Sequence, residues 1–292
     1  MKAIVTGGAG FIGHHLANAL IDMGHEVHVW DNLSTGNVDR LNLDVEFIRL
    51  DLTYDVLPDI EADVVFHLAA PTSVQESIEN PIKYEQGCYM ATKRLLDWAL
   101  TRTKRPHVLM ASTAAIYGEP TDLPVAEDAT PNPMSPYASW KLYAERLLQT
   151  FNQNLGLPTT ALRLFNVYGP GQPSSGSYAP AVARFLQQYE AFKPITVTGD
   201  GLQTRDYINV LSVVQAFILA ANRSDANIFQ IYNVGSGEEL TILEIAERFG
   251  GEIQHIEPRL EPRRSLSDIK KIKNDLKWLP GDNVLHWIDA NR

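Results

Sequence analysis

Lys2-Ala3-Ile4-Val5-Thr6 runs without a break into Gly7-Gly8-Ala9-Gly10-Phe11-Ile12-Gly13, and from there into an apolar-periodic stretch reaching Met23. A short apolar strand that turns on glycines into a helix admits few architectures. Gly8, Gly10 and Gly13 have the G-x-G-x-x-G spacing, and Gly7, Gly10 and Gly13 form a second, overlapping set. Glycine lets the chain turn tightly, lets a bound group approach the backbone, and lets the helix pack closely on the strand. The helix start offers unpaired N–H groups and the positive end of the dipole, a setting for a pyrophosphate. Asp31 closes the next strand-like run, 18 residues after Gly13. That is close to the ~20 residues at which a carboxylate meets ribose hydroxyls. A carboxylate there repels a 2′-phosphate, so NAD is expected rather than NADP.

The following 130 residues repeat the alternation. Strand-like runs at Lys2–Thr6, Glu26–Trp30, Val45–Leu50, Asp63–Leu68, His107–Ala111 and Thr159–Leu164 are separated by amphipathic stretches at Phe11–Met23, Ile82–Thr101 and Tyr137–Leu155. Near-continuous apolar strands separated by helices predict an α/β fold with a doubly wound parallel sheet. The segment Gly169–Gly176 reads as a loop, and shorter elements follow, with helices near Pro180–Tyr189, Val210–Ala221 and Thr241–Phe249. We expect a nucleotide-binding domain over residues 1–168 and a smaller C-terminal α/β substrate lobe over 169–292, with the chain free to cross back between them.

The balance of 25 Lys+Arg against 35 Asp+Glu leaves a net charge of −10, with the cations scattered. That disfavours a nucleic-acid or polybasic membrane surface. The only cysteine, Cys88, excludes an internal disulfide framework or a cysteine-pair zinc site and fits a reducing, cytoplasmic setting. No apolar run reaches the ~18 residues of a membrane span, and the first strand leaves no space for a signal peptide. Eight histidines include His14-His15 but no i,i+4 pair, so no metal is expected.

Taken together, Thr6–Gly13, Asp31-Asn32, Asp51-Leu52 and His67-Leu68-Ala69-Ala70 resemble the extended short-chain dehydrogenase/reductase family of nucleotide-sugar enzymes. The likeness continues through Ser112-Thr113-Ala114-Ala115-Ile116-Tyr117-Gly118, Ser135-Pro136-Tyr137-x-x-x-Lys141, Arg163–Gly169, Gln203–Tyr207 and Tyr232–Gly237. The resemblance implies a Rossmann domain with NAD held by Gly7, Gly10, Phe11, Ile12, Gly13, Asp31, Asn32, Ser34, Gly36, Asp51, Leu52, Leu68, Ala69, Ala70, Tyr137, Lys141 and Val167. It further implies a UDP-sugar substrate bound by Thr113, Asn166, Arg205, Arg259 and Ser265. Cys88 departs from the pattern, since relatives usually carry Asn there; it is expected to be a small buried apolar residue. A homodimer built on Ile82–Thr101 and Tyr137–Leu155 is also implied, with Tyr89 and Trp98 facing the interface.

Three Tyr-x-x-x-Lys pairs occur, Tyr89/Lys93, Tyr137/Lys141 and Tyr189/Lys193. Only Tyr137 follows Ser135-Pro136, an N-cap and first-turn pair that sets Lys141 one turn further along the same face. Ser112-Thr113 follow an apolar strand, at the carboxyl edge where such sheets bind ligands. A phenol with pKa near ~10 needs positive charge beside it to act as a base at neutral pH. Lys141 and an oxidised nicotinamide are expected to supply it, with Thr113 sharing the proton. By the same resemblance, dehydratases carry Asp-Glu after the catalytic Ser/Thr and decarboxylases often carry Glu. This chain has Ala114-Ala115, which resembles the 4-epimerases. Small Ser265 falls where the family gates the C2 substituent, implying that N-acetyl sugars are admitted. A dehydratase or decarboxylase, or a noncatalytic NAD-binding scaffold, is the alternative.

Overall fold

The computed structural model describes residues 1–174, 179–223, 225–258 and 261–292. Its elements in chain order are β1 (Lys2–Thr6), α1 (Phe11–Asp22), β2 (Glu26–Asp31), β3 (Glu46–Arg49), β4 (Val64–His67), α2 (Val74–Glu79), α3 (Pro81–Tyr84), α4 (Ala91–Leu100) and β5 (His107–Thr113). They continue with α5 (Pro136–Leu155), β6 (Thr159–Leu164), β7 (Asn166–Tyr168), α6 (Ala181–Glu190), β8 (Ile195–Thr198), β9 (Thr204–Arg205), β10 (Tyr207–Asn209) and α7 (Val210–Ala221). β11 (Gln230–Val234), β12 (Leu240–Thr241), α8 (Ile242–Phe249), β13 (Ile253–Ile256), α9 (Lys270–Leu276) and α10 (Val284–Asn291) complete the order.

Seven strands form one sheet in the order β11-β6-β5-β4-β1-β2-β3. The pairs from β5 through β4, β1 and β2 to β3 are parallel. Strand order reverses between β1 and β4, the switch point at whose carboxyl edge open α/β sheets bind ligands. The doubly wound expectation holds. Two details differ from it. Ser112 and Thr113 lie inside β5 rather than after it, and a seventh strand, β11, arrives from far down the chain. The single helix expected over 82–101 is instead α3, a π-helical turn at Glu85–Met90, and α4.

The chain forms two compact units, each assembled from separate segments. Residues 1–116, 133–163 and 214–232 make the first, and residues 117–132, 164–213 and 233–292 the second. The first unit's core joins Ile4, Trp30 and Val65 to Leu95, Leu96 and Trp98 of α4 and Leu148 of α5. Trp98 stacks edge-on against Trp30 with centroids 5.2 Å apart, and its Nε1–H donates to Pro58 O at 2.8 Å. It is therefore a core residue and not the surface aromatic that was expected. An indole that large is worth more against another apolar ring than on a wet face. The second unit has its own core, with Phe185 of α6, Val197 of β8, Tyr207 of β10 and Phe249 of α8. Its short strands pair as β7–β10, β8–β13 and β9–β12. Among the described residues no helix is long and apolar enough to cross a membrane.

Candidate functional site

The glycine turn after β1 is shaped by contacts that no side chain could share. Gly7 sits at φ +69°, where a Cβ would lie 2.6 Å from Ala69 N. A Cβ on Gly13 would lie 2.1 Å from Gly7 O, so α1 starts as close to the turn as backbone allows. Gly10 caps α1 in extended conformation with no side chain bonded to the first turn, which leaves the N–H groups of Phe11 and Ile12 outside the intrahelical ladder. Asp31 closes β2, and its carboxylate accepts from Ala9 N–H at 3.0 Å and Leu33 N–H at 2.7 Å. Each oxygen keeps a lone pair for a further donor. Gly36 packs on the same group, with room only for hydrogen beside Asp31 Oδ1 and Ala9. Asn32 donates to Asp51 at 2.9 Å, and its own carbonyl accepts from Ser34 N–H at 3.0 Å. Burial pushes the Asp51 carboxyl up, but the Asn32 amide, Thr53 and Arg94 outweigh it and hold it low. Leu52 is buried, and Leu68, Ala69 and Ala70 follow β4 beside the turn. An uncapped helix start, a cradle that a Cβ would fill and a strand-end carboxylate suit a dinucleotide.

Around the end of β5, the first unit gathers the expected catalytic residues. Ser135 Oγ accepts from Ala138 N–H at 3.2 Å and Pro136 occupies the first turn of α5, as the sequence predicts. Tyr137 is buried, and the Thr113 hydroxyl acts on its phenol to pull the pKa down. Thr113 Oγ1 also accepts from Ala115 N–H at 3.1 Å, so the strand-end role and the contact with Tyr137 coexist. Lys141 Nζ donates to Ala111 O at 2.9 Å, one of the three N–H bonds of an ammonium. Burial lowers the Lys141 ammonium, while Cys88 and Glu145 act to raise it. In the free protein the phenol is not acidified; the acidification implied by the sequence draws on the nicotinamide charge as well as Lys141. Burial first, and then the adjacent Cys88 sulfur, push Tyr137 above its ordinary value, and only Thr113 pulls it down.

Glu145 and Thr92 carry no motif and escape a reading by spacing, although their partners Ser112, Arg163 and His67 lie in segments that carry the family likeness. Glu145, one turn beyond Lys141, is buried; Ser112 donates to it at 2.5 Å, and Arg163 Nη2 reaches its other oxygen at 2.8 Å. His67 bridges Thr6 at 2.8 Å and Thr92 at 2.9 Å, and burial followed by the Lys141 charge lowers it to about 3. Thr92 in turn donates to Cys88 O at 2.6 Å. Cys88 is fully buried with Tyr84 and Tyr137, whose rings meet edge to face at 6.1 Å. That agrees with the expected small apolar role.

In the second unit, Asn166 and Arg205 line one recess of about 150 Å³ together with Val167, Tyr207 and Glu261. Arg205 Nη2 is held by Glu261 at 2.5 Å and Nη1 by Thr204 O at 2.7 Å. Its guanidinium is thus partnered in the protein itself, where the sequence suggested an open anchor. The Asn166 amide donates to Asp206 O at 3.1 Å. Tyr207 Oη, buried on this recess, has no hydrogen-bond partner among the described residues. Asp206 is fully buried and accepts from Ser236, Gly237 and Ser267, which ties the 235–237 turn to the segment carrying Ser265. Ser265 itself is half-buried. Arg259 lies outside the described residues.

This arrangement has relatives. The model of the NAD dependent epimerase/dehydratase family matches residues 3–235. A UDP-glucose 4-epimerase of Mycolicibacterium smegmatis is 34% identical over 96% of this chain and 94% of its own. A UDP-glucuronic acid decarboxylase 1 of Arabidopsis thaliana is 33% identical over 96% of this chain and 66% of its own. Among solved structures, a UDP-N-acetylglucosamine 4-epimerase from Methanobrevibacter ruminantium, bound to UDP-N-acetylmuramic acid, superposes with a TM-score of 0.91 at 31% identity, covering 99% of this chain and 96% of that one. The glycine cradle, the strand-end carboxylate and these matches lead to one conclusion: the chain belongs to the NAD dependent epimerase/dehydratase family.

Proposed function

We propose that the protein inverts C4 of a UDP-sugar, interconverting UDP-glucose and UDP-galactose, UDP-N-acetylglucosamine and UDP-N-acetylgalactosamine, or both pairs. NAD, which the glycine turn and Asp31 would hold, would supply hydride-accepting and hydride-donating chemistry at C4, so that return of hydride to the opposite face inverts it. Tyr137 takes the proton of the 4-hydroxyl during oxidation and gives it back to the keto oxygen on reduction, so the cycle needs no outside redox partner. Thr113, beside the same phenol, holds the reacting oxygen in line. Burial keeps Tyr137 protonated in the free protein, and a cation about 5 Å away is worth ~3 kcal/mol at an effective dielectric of ~20. Lys141, fixed on Ala111 O one helical turn from Tyr137, and the oxidised nicotinamide when bound are the two cations this step would draw on. Arg205, Asn166 and Tyr207 hold the diphosphate, with the Glu261 pair opening to release the guanidinium fork.

The observation carrying this reading over a decarboxylase or dehydratase is the pair Ala114-Ala115 beside Thr113, which offers no acid where those chemistries use one. Similarity alone does not separate them, since the epimerase and the decarboxylase are almost equally identical to this chain. A homodimer in the cytoplasm completes the proposal. Tyr89 stacks on Trp140 at 5.8 Å and Trp140 on Tyr143 at 5.6 Å, an aromatic stripe on α5 and the turn before α4 suited to pairing with a second copy. The test is incubation of the purified protein with UDP-glucose and with UDP-N-acetylglucosamine, without added NAD. Proton NMR should show the C4 epimers. CO2 from UDP-glucuronate, or a 4-keto-6-deoxy product, with no epimer formed, would overturn the assignment.

A further inference from the structure

At the edge of the sheet opposite the glycine turn, the N-terminal ends of β2 and β3 carry a cluster the reaction does not use. Glu26 and His28 are two residues apart on β2 and share one face. The parallel register sets His28 opposite Glu46 of β3, the outermost strand. His28 Nε2 lies 3.1 Å from Glu26 Oε1, and His28 Nδ1 lies 3.1 Å from Glu46 Oε2. A carboxylate only accepts, so Nε2 carries the proton and donates it to Glu26. Nδ1 faces a second carboxylate oxygen, and a metal binding there would displace any proton it carries.

His28 is only 3% exposed, and Nδ1 has no hydrogen-bond partner among the described residues. Buried polar atoms without partners are uncommon and cost about 1–3 kcal/mol. Glu46 lies close to Nδ1 without lying along the direction of a ring N–H. That off-axis approach is what two ligands of one metal adopt. With zinc bonds of about 2.0–2.1 Å to nitrogen and oxygen at a tetrahedral angle, the two donors stand about 3.3 Å apart. Donor atoms of all three residues lie within 4.8 Å of one another. A carboxylate holding the far N–H of the ligating imidazole is the common outer partner of such sites.

We propose that His28 and Glu46 bind a divalent transition metal of the zinc type, with Glu26 orienting the imidazole from the far ring nitrogen. The site clips β3 to β2 and is separate from the NAD turn. Lys2 Nζ, 2.7 Å from Glu26 Oε1, is a competing cation built into the site.

Titration of the full-length protein with ZnCl2 by calorimetry, with anomalous diffraction at the zinc edge, tests the proposal. The expected result is one saturable site per chain, with the anomalous peak between His28 and Glu46. Glu46→Gln, an exposed substitution, weakens binding at least about tenfold. Glu26→Gln weakens it about 10–100-fold. Lys2→Gln tightens it about two- to fivefold by removing the rival cation. All three variants retain wild-type sugar-nucleotide turnover. Absence of saturable binding, equal affinity in wild type and Glu46→Gln, or a peak at other residues overturns it.

Discussion

Replacing Gly13 by alanine should damage stability and cofactor retention together, because one contact sets both. The new Cβ would lie 2.1 Å from Gly7 O and 2.6 Å from Gly8 Cα, the first being 0.9 Å inside the 3.0 Å that real Cβ contacts essentially never breach. Both neighbours are backbone, so no side chain can rotate away. Either α1 lifts off the turn or the turn opens. Overpacking of this kind costs about 1–3 kcal/mol, and the rigid neighbours put Gly13→Ala near the upper end. At about 2 °C per kcal/mol for a chain of this size, the melting temperature should fall about 5 °C. Opening the turn also draws N–H groups away from the pyrophosphate. Losing one charge-assisted hydrogen bond, worth about 1.5–3 kcal/mol, should weaken NAD about 10–150-fold. Calorimetric unfolding and NAD titration of the purified variant read both effects. Gly24→Ala is the control. Gly24 is at φ +78° with nothing within 4 Å of its Cβ, so it should cost only about 1 kcal/mol and leave NAD untouched. Were Gly13→Ala to melt and bind NAD like wild type, the steric reading of the turn would be wrong.

Three further outcomes concern the buried pair, the buried histidines and the sugar gate. Glu145→Gln removes the carboxylate charge paired with the buried Arg163 guanidinium and should cost about 3–5 kcal/mol in urea unfolding, whereas Glu145→Leu combined with Arg163→Met should cost much less; equal losses would refute the pairing. His67, lowered to about 3 by burial and then by Lys141, and His107, lowered to about 4 by burial and then by Arg223, bind protons in the unfolded chain before the folded one does. Their contribution is therefore complete above about pH 6.5 and lost as pH falls toward those values, at up to ~1.4 kcal/mol per pH unit for each histidine. The urea midpoint should drop between pH 6.5 and 4.5, and less steeply in His107→Asn; a flat midpoint contradicts this. Ser265→Tyr should slow turnover of N-acetyl sugars selectively, and equal slowing on UDP-glucose would discredit the gate.

Much of the sheet was legible because its signals are local. The run before Gly7 is β1, the run ending at Asp31 is β2, and Ser135-Pro136 caps α5 where the spacing says it should. What escaped depends on partners distant in sequence. β11 joins the sheet beyond residue 229 because a parallel strand needs a crossover, and nothing local at Gln230–Val234 names its neighbour. Trp98 is on an amphipathic helix whose periodicity marks an apolar face but not which body that face meets. Arg205 looked like an open anchor because Glu261, its partner, is 56 residues away. A search for paired histidines along one helix passes over His28 and Glu46, which only strand register brings together. Spacing also carries no information about solvent, so the burial that holds the Tyr137 phenol up in the free protein was not legible in the sequence.

The proton-transfer role of Tyr137 is tested most directly by Tyr137→Phe, assayed by proton NMR for conversion of UDP-glucose and UDP-N-acetylglucosamine to their C4 epimers. Removing one hydroxyl from a buried ring leaves the fold and NAD binding in place, so the account predicts epimerisation slowed about 10²–10⁴-fold with bound NAD retained. Epimerisation by Tyr137→Phe at the wild-type rate would contradict it.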